Sequence, residues 1–202
     1  MLPRSRARSL SVLAIAIAGC LLADCATLSQ VAALRKVTFN LDHVSAASIA
    51  GVRLEGKRTY RDLSAVEIAR LGAAVATKSV PLEMTIHIEG ENPAENRVTA
   101  RMIQLAWTLS IRDRETVSGR LDREFLFPPG EPTDVPLAVS LDLWKFFGGE
   151  GARDLFDLAM AAAGQGQPVS LSIKATPTIQ TPIGPMSYPR PITIVQRQVG
   201  SP

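Results

Sequence analysis

The chain has 202 residues, 46% hydrophobic and 5% aromatic, with 22 Lys and Arg against 19 Asp and Glu, a formal net charge of +3. Arg4, Arg6 and Arg8 crowd the amino terminus, and without these three the remaining 19 basic residues balance the 19 acidic ones. A chain this apolar with so little excess charge is not a disordered one, and no basic patch interleaved with aromatics marks it for nucleic acid.

Residues 1–9 (Met-Leu-Pro-Arg-Ser-Arg-Ala-Arg-Ser) form an arginine-rich start, followed by the apolar stretch Leu10 to Ala18 and then Gly19-Cys20. This is the pattern of a secretory signal peptide. The apolar stretch is shorter than the roughly 20 residues a helix needs to cross a bilayer. Ile17-Ala18-Gly19-Cys20 resembles the lipobox of bacterial lipoproteins. The resemblance implies a diacylglycerol thioether on Cys20, cleavage after Gly19 and acylation of the new amino terminus. Residues 1–19 are then the signal and residues 20–36 a lipid-anchored linker, with a short helix expected within 21–36 because Gly, Ser and Pro are sparse there. Two or more acyl chains anchor stably, since each buried methylene contributes ~0.8 kcal/mol. The same residues also admit an ordinary cleaved signal or an uncleaved anchor. Cys25 follows Asp24, which departs from the lipobox, so Cys20 is the lipidation candidate. Leu21 in the next position implies, under enterobacterial-type sorting, the outer membrane, facing the periplasm. With Cys20 acylated only Cys25 remains, no intramolecular disulfide can form, and the fold must rest on its core.

From Val37 onward a period of two dominates, the mark of strands with one buried face. Val37, Phe39 and Leu41 alternate with polar residues, as do Val52 and Leu54, then Leu82, Met84, Ile86 and Ile88. Ile103, Leu105, Trp107, Leu109 and Ile111 follow, ending in the charged turn at residues 112–115, then Leu121, Phe125 and Phe127. Val135 to Leu141, Val169 to Ile173 and Ile192 with Ile194 complete about eight short strands punctuated by Gly, Pro and Asn. Two segments have helical spacing instead. Ser64 to Val75 carries Ser64 as N-cap with Glu67 three residues on, and Ala152 to Ala163 is stopped by Gly164. The pattern predicts a mainly β protein, a sandwich or a barrel, over residues 37–197 with one or two inserted helices, leaving 198–202 as a tail. Both helices are expected over an open end or edge of the sandwich, and Pro177 to Pro191 as an irregular excursion.

Three local features resemble the water-stress and hypersensitive-response domain, also called the LEA14-like or type-2 late-embryogenesis-abundant fold. They are Val37 to Val44 running into Ser48 to Gly56, the strand Leu82 to Ile88 running into Glu91-Asn92-Pro93-Ala94, and Val169 to Ala175 followed by Thr181-Pro-Ile-Gly184. The resemblance implies a folded, mostly non-enzymatic, immunoglobulin-like or fibronectin-like antiparallel sandwich linked to desiccation and other stress. Ala94 departs from the family's Asn-Pro-Asn, and the helix near 64–76 and the segment 144–166 are additions. Pro93 lacks an N–H and ends strand pairing, while Asn92 can bond its own backbone to open the turn. Gly51, Gly56 and Gly184 suit positive φ or close backbone approach.

Chemistry-bearing motifs are sparse. His43 and His87 are the two histidines, without a second His or Cys at ligand spacing, so they read as solvated strand positions and no metal or other cofactor is expected. No Gly-x-Ser-x-Gly elbow accompanies them, and the pairs Asp122/Glu124 and Asp154/Asp157 fit charged faces, so no catalytic residues are assigned. Gly148-Gly-Glu-Gly151 lacks a phosphate-loop ending and reads as a loop joint. Trp107 reads as core. Trp144, Phe146 and Phe147 either fill the sandwich end or offer a partner or membrane surface, and the proline run is the other candidate surface. The sequence therefore points to a lipid-anchored, non-enzymatic envelope protein acting by binding, in desiccation or envelope stress protection. The alternatives are an assembly lipoprotein with an envelope protein partner, and a carrier of apolar ligands with the 144–163 region as a lid.

Overall fold

Alternating apolar residues at 82–88 become a strand in which Leu82, Met84, Ile86, Ile88 and Gly90 all point into the core. This strand is the third of those found in the computed structural model, which describes residues 32–111, 113–147, 152–162, 169–181 and 184–199. In chain order the strands are β1 (Thr38–Ile49), β2 (Val52–Arg53), β3 (Pro81–Glu91), β4 (Ala100–Met102), β5 (Gln104–Ile111) and β6 (Arg114–Leu121). They continue with β7 (Phe125–Phe127), β8 (Pro132–Asp142), β9 (Val169–Thr181), β10 (Gly184–Ser187) and β11 (Ile192–Val199). Helices α1 (Ala65–Ala76), α2 (Leu143–Phe147) and α3 (Ala152–Ala162) interrupt them. Residues 1–31, with the signal, Cys20, Cys25 and most of the linker, lie outside the described residues, as do Arg112, Gly148 to Gly151, Ala163 to Pro168 with the expected helix stop Gly164, Pro182, Ile183 and Gly200 to Pro202. Gln198 and Val199, expected in the tail, pair with β9 as the end of β11.

One sheet runs β2-β1-β3-β8 and the other runs β6-β5-β9, with β10 and β11 sharing the remaining edge of β9. All of these neighbours are antiparallel. The two sheets stack with β1 beside β11 and β8 beside β6, and their inner faces supply Ile49, Ile86, Ile88, Leu109, Ile111, Leu137, Leu171 and Ile173 to a common core. The protein is an antiparallel β-sandwich, one of the two architectures the alternation allows and the one the resemblance implies. A small ribbon of β4 and β7 closes one end, where Phe127 meets Phe39 edge-on at 5.7 Å between ring centroids. Gly90 makes room for that ring, since a Cβ there would stand 2.4 Å from Phe127.

The opposite end carries the helices. Ser64 caps α1 by accepting from the Glu67 amide at 3.3 Å, and the Glu67 carboxylate accepts from the Ser64 amide at 2.8 Å. In α3, Leu155, Phe156, Leu158, Ala159 and Met160 are buried, with Phe156 set edge-on to Tyr60 at 5.7 Å. Helix α3 touches α1, β1 and β9, so the helices do cover an end of the sandwich.

Four other sequence expectations change. Ile103 is a bend between β4 and β5, and β5 begins at Gln104. The charged turn after Ile111 is present, with Asp113 at φ 59, but β6 begins within it at Arg114, a strand not expected from the sequence because only Thr116 of its eight residues is buried and no apolar alternation announces it. Phe125 and Phe127 belong to the β4–β7 ribbon rather than to the main sheets. The proline run is mostly sheet: β9 passes through Pro177 to Thr181 and returns as β10. Pro177 falls between the end of β11 pairing at Ala175 and the start of β10 pairing at Thr178. Its carbonyl accepts from Tyr188 N at 3.0 Å on that open edge, where its missing N–H interrupts no ladder.

Candidate functional site

Two irregularities in β1 create the most chemically dense surface among the described residues. Leu41 pairs with Ile88 and His43 with His87, so Asp42 is an extra residue that shifts the alternation by one. Asp42 and His43 therefore both face solvent, although simple alternation from Leu41 would have turned His43 inward. A second shift leaves Ala46 and Ala47 opposite Met84 alone, with Ala46 at φ 51, and restores the inward phase at Ala47 and Ile49. Between the two shifts, His43 and Ser45 share the outer face with Thr85 and His87.

The side chains there are hydrogen-bonded in a row across three strands. His87 Nδ1 lies 3.0 and 3.1 Å from the two carboxylate oxygens of Asp134 on β8, and His87 Nε2 lies 2.9 Å from Ser45 Oγ on β1. A carboxylate only accepts, so Nδ1 bears the proton of the neutral imidazole and Nε2 accepts from the Ser45 hydroxyl. The His43 ring lies parallel over His87, with centroids 4.2 Å apart and 6° between planes, and its Nδ1 is held by Asp42 at 2.8 Å. The His87 side chain is 19% exposed. Two imidazoles stacked in parallel cannot both aim a ring nitrogen at one ion. No group of three or more His, Cys, Asp or Glu fit to hold a metal occurs among the described residues.

Asn92 and Asn96 form a second polar constellation, fully inside. The Asn92 Nδ2 donates to Phe127 O at 2.8 Å and Val98 O at 3.0 Å, while its Oδ1 accepts from Asn96 Nδ2 at 2.6 Å. Asn96 Nδ2 also donates to Ala33 O at 3.0 Å, and Gly130 N donates to Asn92 O at 2.7 Å. The Asn92 side chain bonds within the loop of its own turn, as expected, at Asn96 and Val98, and it also ties the end of β3 to β7, while Asn96 links the cluster to the segment entering the domain. Residues 32–36 of that segment are helical, with Ala33 and Leu34 buried. Pro93, at φ −53, leads into a single 3-10 turn over Ala94–Asn96. Gly51 at φ 72 follows Ala50 at φ 48 in the two-residue turn joining β1 to β2, and Gly184, at φ 120, opens β10.

Among the aromatics expected either as end-filling or as a partner surface, Phe147 is buried beneath the Arg114 guanidinium, and Trp144 and Phe146 are half-buried against the core. Phe147 therefore cannot offer a surface. Helix α2 is capped by Asp142, which accepts from Trp144 N at 3.0 Å and Val80 N at 3.1 Å. Among the described residues, the large apolar side chains that are exposed are Val66, Ile68, Val98, Leu126 and Met186, with Val66 at 70% exposure. Trp107 is core, as expected, its indole laid over Gly119, where a Cβ would stand 2.5 Å from the ring. A depression of about 240 Å³ lies on the five-stranded sheet beside Thr108, Ser118, Lys174 and Thr176, outside the space between the sheets. Asp122 and Glu124 do not converge: one meets Arg120 and Gln104, the other Arg101. The Asp154 side chain lies outside the described residues, and Asp157 is exposed. The carboxyl of Glu67 is held down to about 2 by the hydrogen bonds from the Ser64 amide and hydroxyl, then by Lys57.

No family model matches the chain, and no curated protein does. Among solved structures, a crystal structure of a protein from Archaeoglobus fulgidus aligns with 60% of this chain and 86% of its own, at 11% identity and a TM-score of 0.35. The solution structure of a protein described as late embryogenesis abundant (LEA) aligns with 96% of this chain and 89% of its own, at 14% identity and a TM-score of 0.38. Scores this low decide neither family nor function.

Proposed function

We propose that the chain is a lipid-anchored binding domain of the bacterial envelope, related to the LEA14-like sandwiches, that acts through its surface rather than by turnover. The observation that carries the reading is the succession of Arg4, Arg6 and Arg8, the apolar stretch to Ala18, and Gly19-Cys20. Acylated Cys20 is the address, at an outer membrane facing the periplasm, and stress protection is the role the motif-level resemblance suggests. Consistent with a short tether, Asn96 holds Ala33 against the β4–β7 end of the sandwich, so that end would stand nearest the bilayer. Helices α1 and α3 then mark the far end, about 35 Å away along the eleven residues of β3.

The reading as an assembly lipoprotein is favoured by one feature, the exposed Val66 and Ile68 on α1 at that far end. The carrier reading draws no support from the described interior, where Met102, Phe127 and Phe156 are packed into the core. A pull-down of the acylated protein from envelope membranes, beside Cys20→Ala and read by mass spectrometry, separates these. Membrane fractionation lost with Cys20→Ala, without a stoichiometric protein partner, upholds the anchored protective reading. A reproducible stoichiometric partner displaces it in favour of assembly, and a Cys20→Ala chain that still fractionates with membranes refutes lipid anchoring at that residue.

A further inference from the structure

We propose that Ser45 is a nucleophile activated by His87 and Asp134, able to accept the acyl group of a small ester at the outer face of the four-stranded sheet. This goes beyond the binding reading, since a domain that is acylated once on one serine is not thereby an enzyme. The geometry is directional. Asp134 accepts from His87 Nδ1 at 3.0 Å, which leaves Nε2 unprotonated toward Ser45 Oγ at 2.9 Å. That is the arrangement in which an imidazole can take the serine proton as the oxygen attacks.

Three features set this row apart from polar residues scattered on a strand face. The residues come from β1, β3 and β8 and meet on one diagonal: His87 pairs with His43 and Pro136, while Ser45 pairs with Thr85 and Asp134 with Glu89. The β1 bulge at Asp42 is what brings His43 and Ser45 to that face at all. The parallel His43 ring then covers one side of the His87 imidazole at 4.2 Å, restricting its rotation and its contact with water. His43 is itself fixed by Asp42, so each ring of the stacked pair is held at Nδ1 by a carboxylate.

In the step, the Ser45 Oγ–acyl carbon bond forms and the ester C–O bond breaks. His87 Nε2 takes the hydroxyl proton and returns it to the departing alkoxide, which leaves as an alcohol. Ser45 and His87 touch the reacting atoms, whereas Asp134 and His43 are positioning residues. The row lies on the outer face of the sheet, where the carbonyl of a small ester can approach Ser45 Oγ.

The test uses the full chain with a fluorophosphonate probe, for which Ser45 Oγ forms a bond to phosphorus, the P–F bond breaks, and the proton and fluoride leave to solvent. Labelling is followed by intact mass and the site mapped by peptide mass spectrometry. The expected result is one equivalent of label on Ser45, none in Ser45→Ala, and at least a tenfold slower rate in His87→Gln, given the 10²–10⁴ typical of a positioned general base. Asp134→Asn is expected to slow labelling and change its pH profile while the thermal midpoint stays put, which a merely structural carboxylate would not do. The proposal is overturned if no label forms, if it lands on other residues alone, or if His87→Gln reacts as fast as the parent chain.

Discussion

Replacing Asn92 by alanine removes the donor to the buried Phe127 carbonyl and the part-buried Val98 carbonyl, and the acceptor that satisfies Asn96, so the effect on stability can be worked from the contacts. Three hydrogen bonds are lost, to Val98 O, Phe127 O and Asn96 Nδ2, around a side chain with no solvent exposure. A typical bond contributes about 1 kcal/mol net, and a buried partner left unpaired costs about 1–3 kcal/mol, so the three together predict a loss of about 3–4 kcal/mol. That is a large part of the 5–15 kcal/mol typical of whole domains. With a urea slope of about 2 kcal/mol per molar, the midpoint should fall by about 1.5–2 M. Unfolding is followed through the fluorescence of Trp107 and Trp144. Asn96→Ala loses two bonds, one shared with Asn92 and one to Ala33 O, and should cost less when Asn92 is already alanine. Asn92→Asp places a carboxylate against the same two carbonyl oxygens. Its folded-state pKa is raised, so its deficit is largest at neutral pH and narrows as the pH falls and the carboxyl protonates. An Asn92→Ala midpoint within about 0.3 M of the parent, or strict additivity with Asn96→Ala, would refute the account of this cluster as the tie between the entering segment and the sandwich.

Gly119→Val forces side-chain atoms into the Trp107 indole and should destabilise by about 1–3 kcal/mol, with a shifted tryptophan emission; unchanged emission and midpoint would contradict that packing. Glu67 has a carboxyl depressed from 4.5 to about 2, so its contribution is fully present above pH 4.5 and is lost as the pH falls through 2. Thermal midpoints of Glu67→Gln should therefore lie below the parent above pH 4.5 and converge with it near pH 2, and a constant gap would dismiss the linkage. Val66→Lys, at a side chain 70% exposed, should leave the midpoint within about 0.5 kcal/mol of the parent while weakening any partner seated on α1, read as loss of that partner from the pull-down.

Local chemistry determined most of the strands and α1. Period-two alternation in β3, β5 and β8 needs no distant partner to be legible, because each strand buries one face whatever lies across from it. The capping box at Ser64 and Glu67 is likewise complete within four residues. Tertiary structure decided what crosses between strands. The inserted Asp42 is invisible as a bulge until β1 is registered against β3, yet it turns His43 outward and assembles Ser45, His87 and Asp134, which are separated by 42 and 47 residues. Asn92 shows the same limit, since its turn and its partner Asn96 are local, but Phe127, and Ala33 beyond Asn96, are supplied by the closing of the sandwich end. Pro177 is the converse case: proline argues against a strand until β10 and β11 are seen to divide one edge of β9 and leave a position where no donor is needed. Hydrophobic pattern is written along the chain, whereas register is set only when strands pair, and on this protein register is what places the reactive groups.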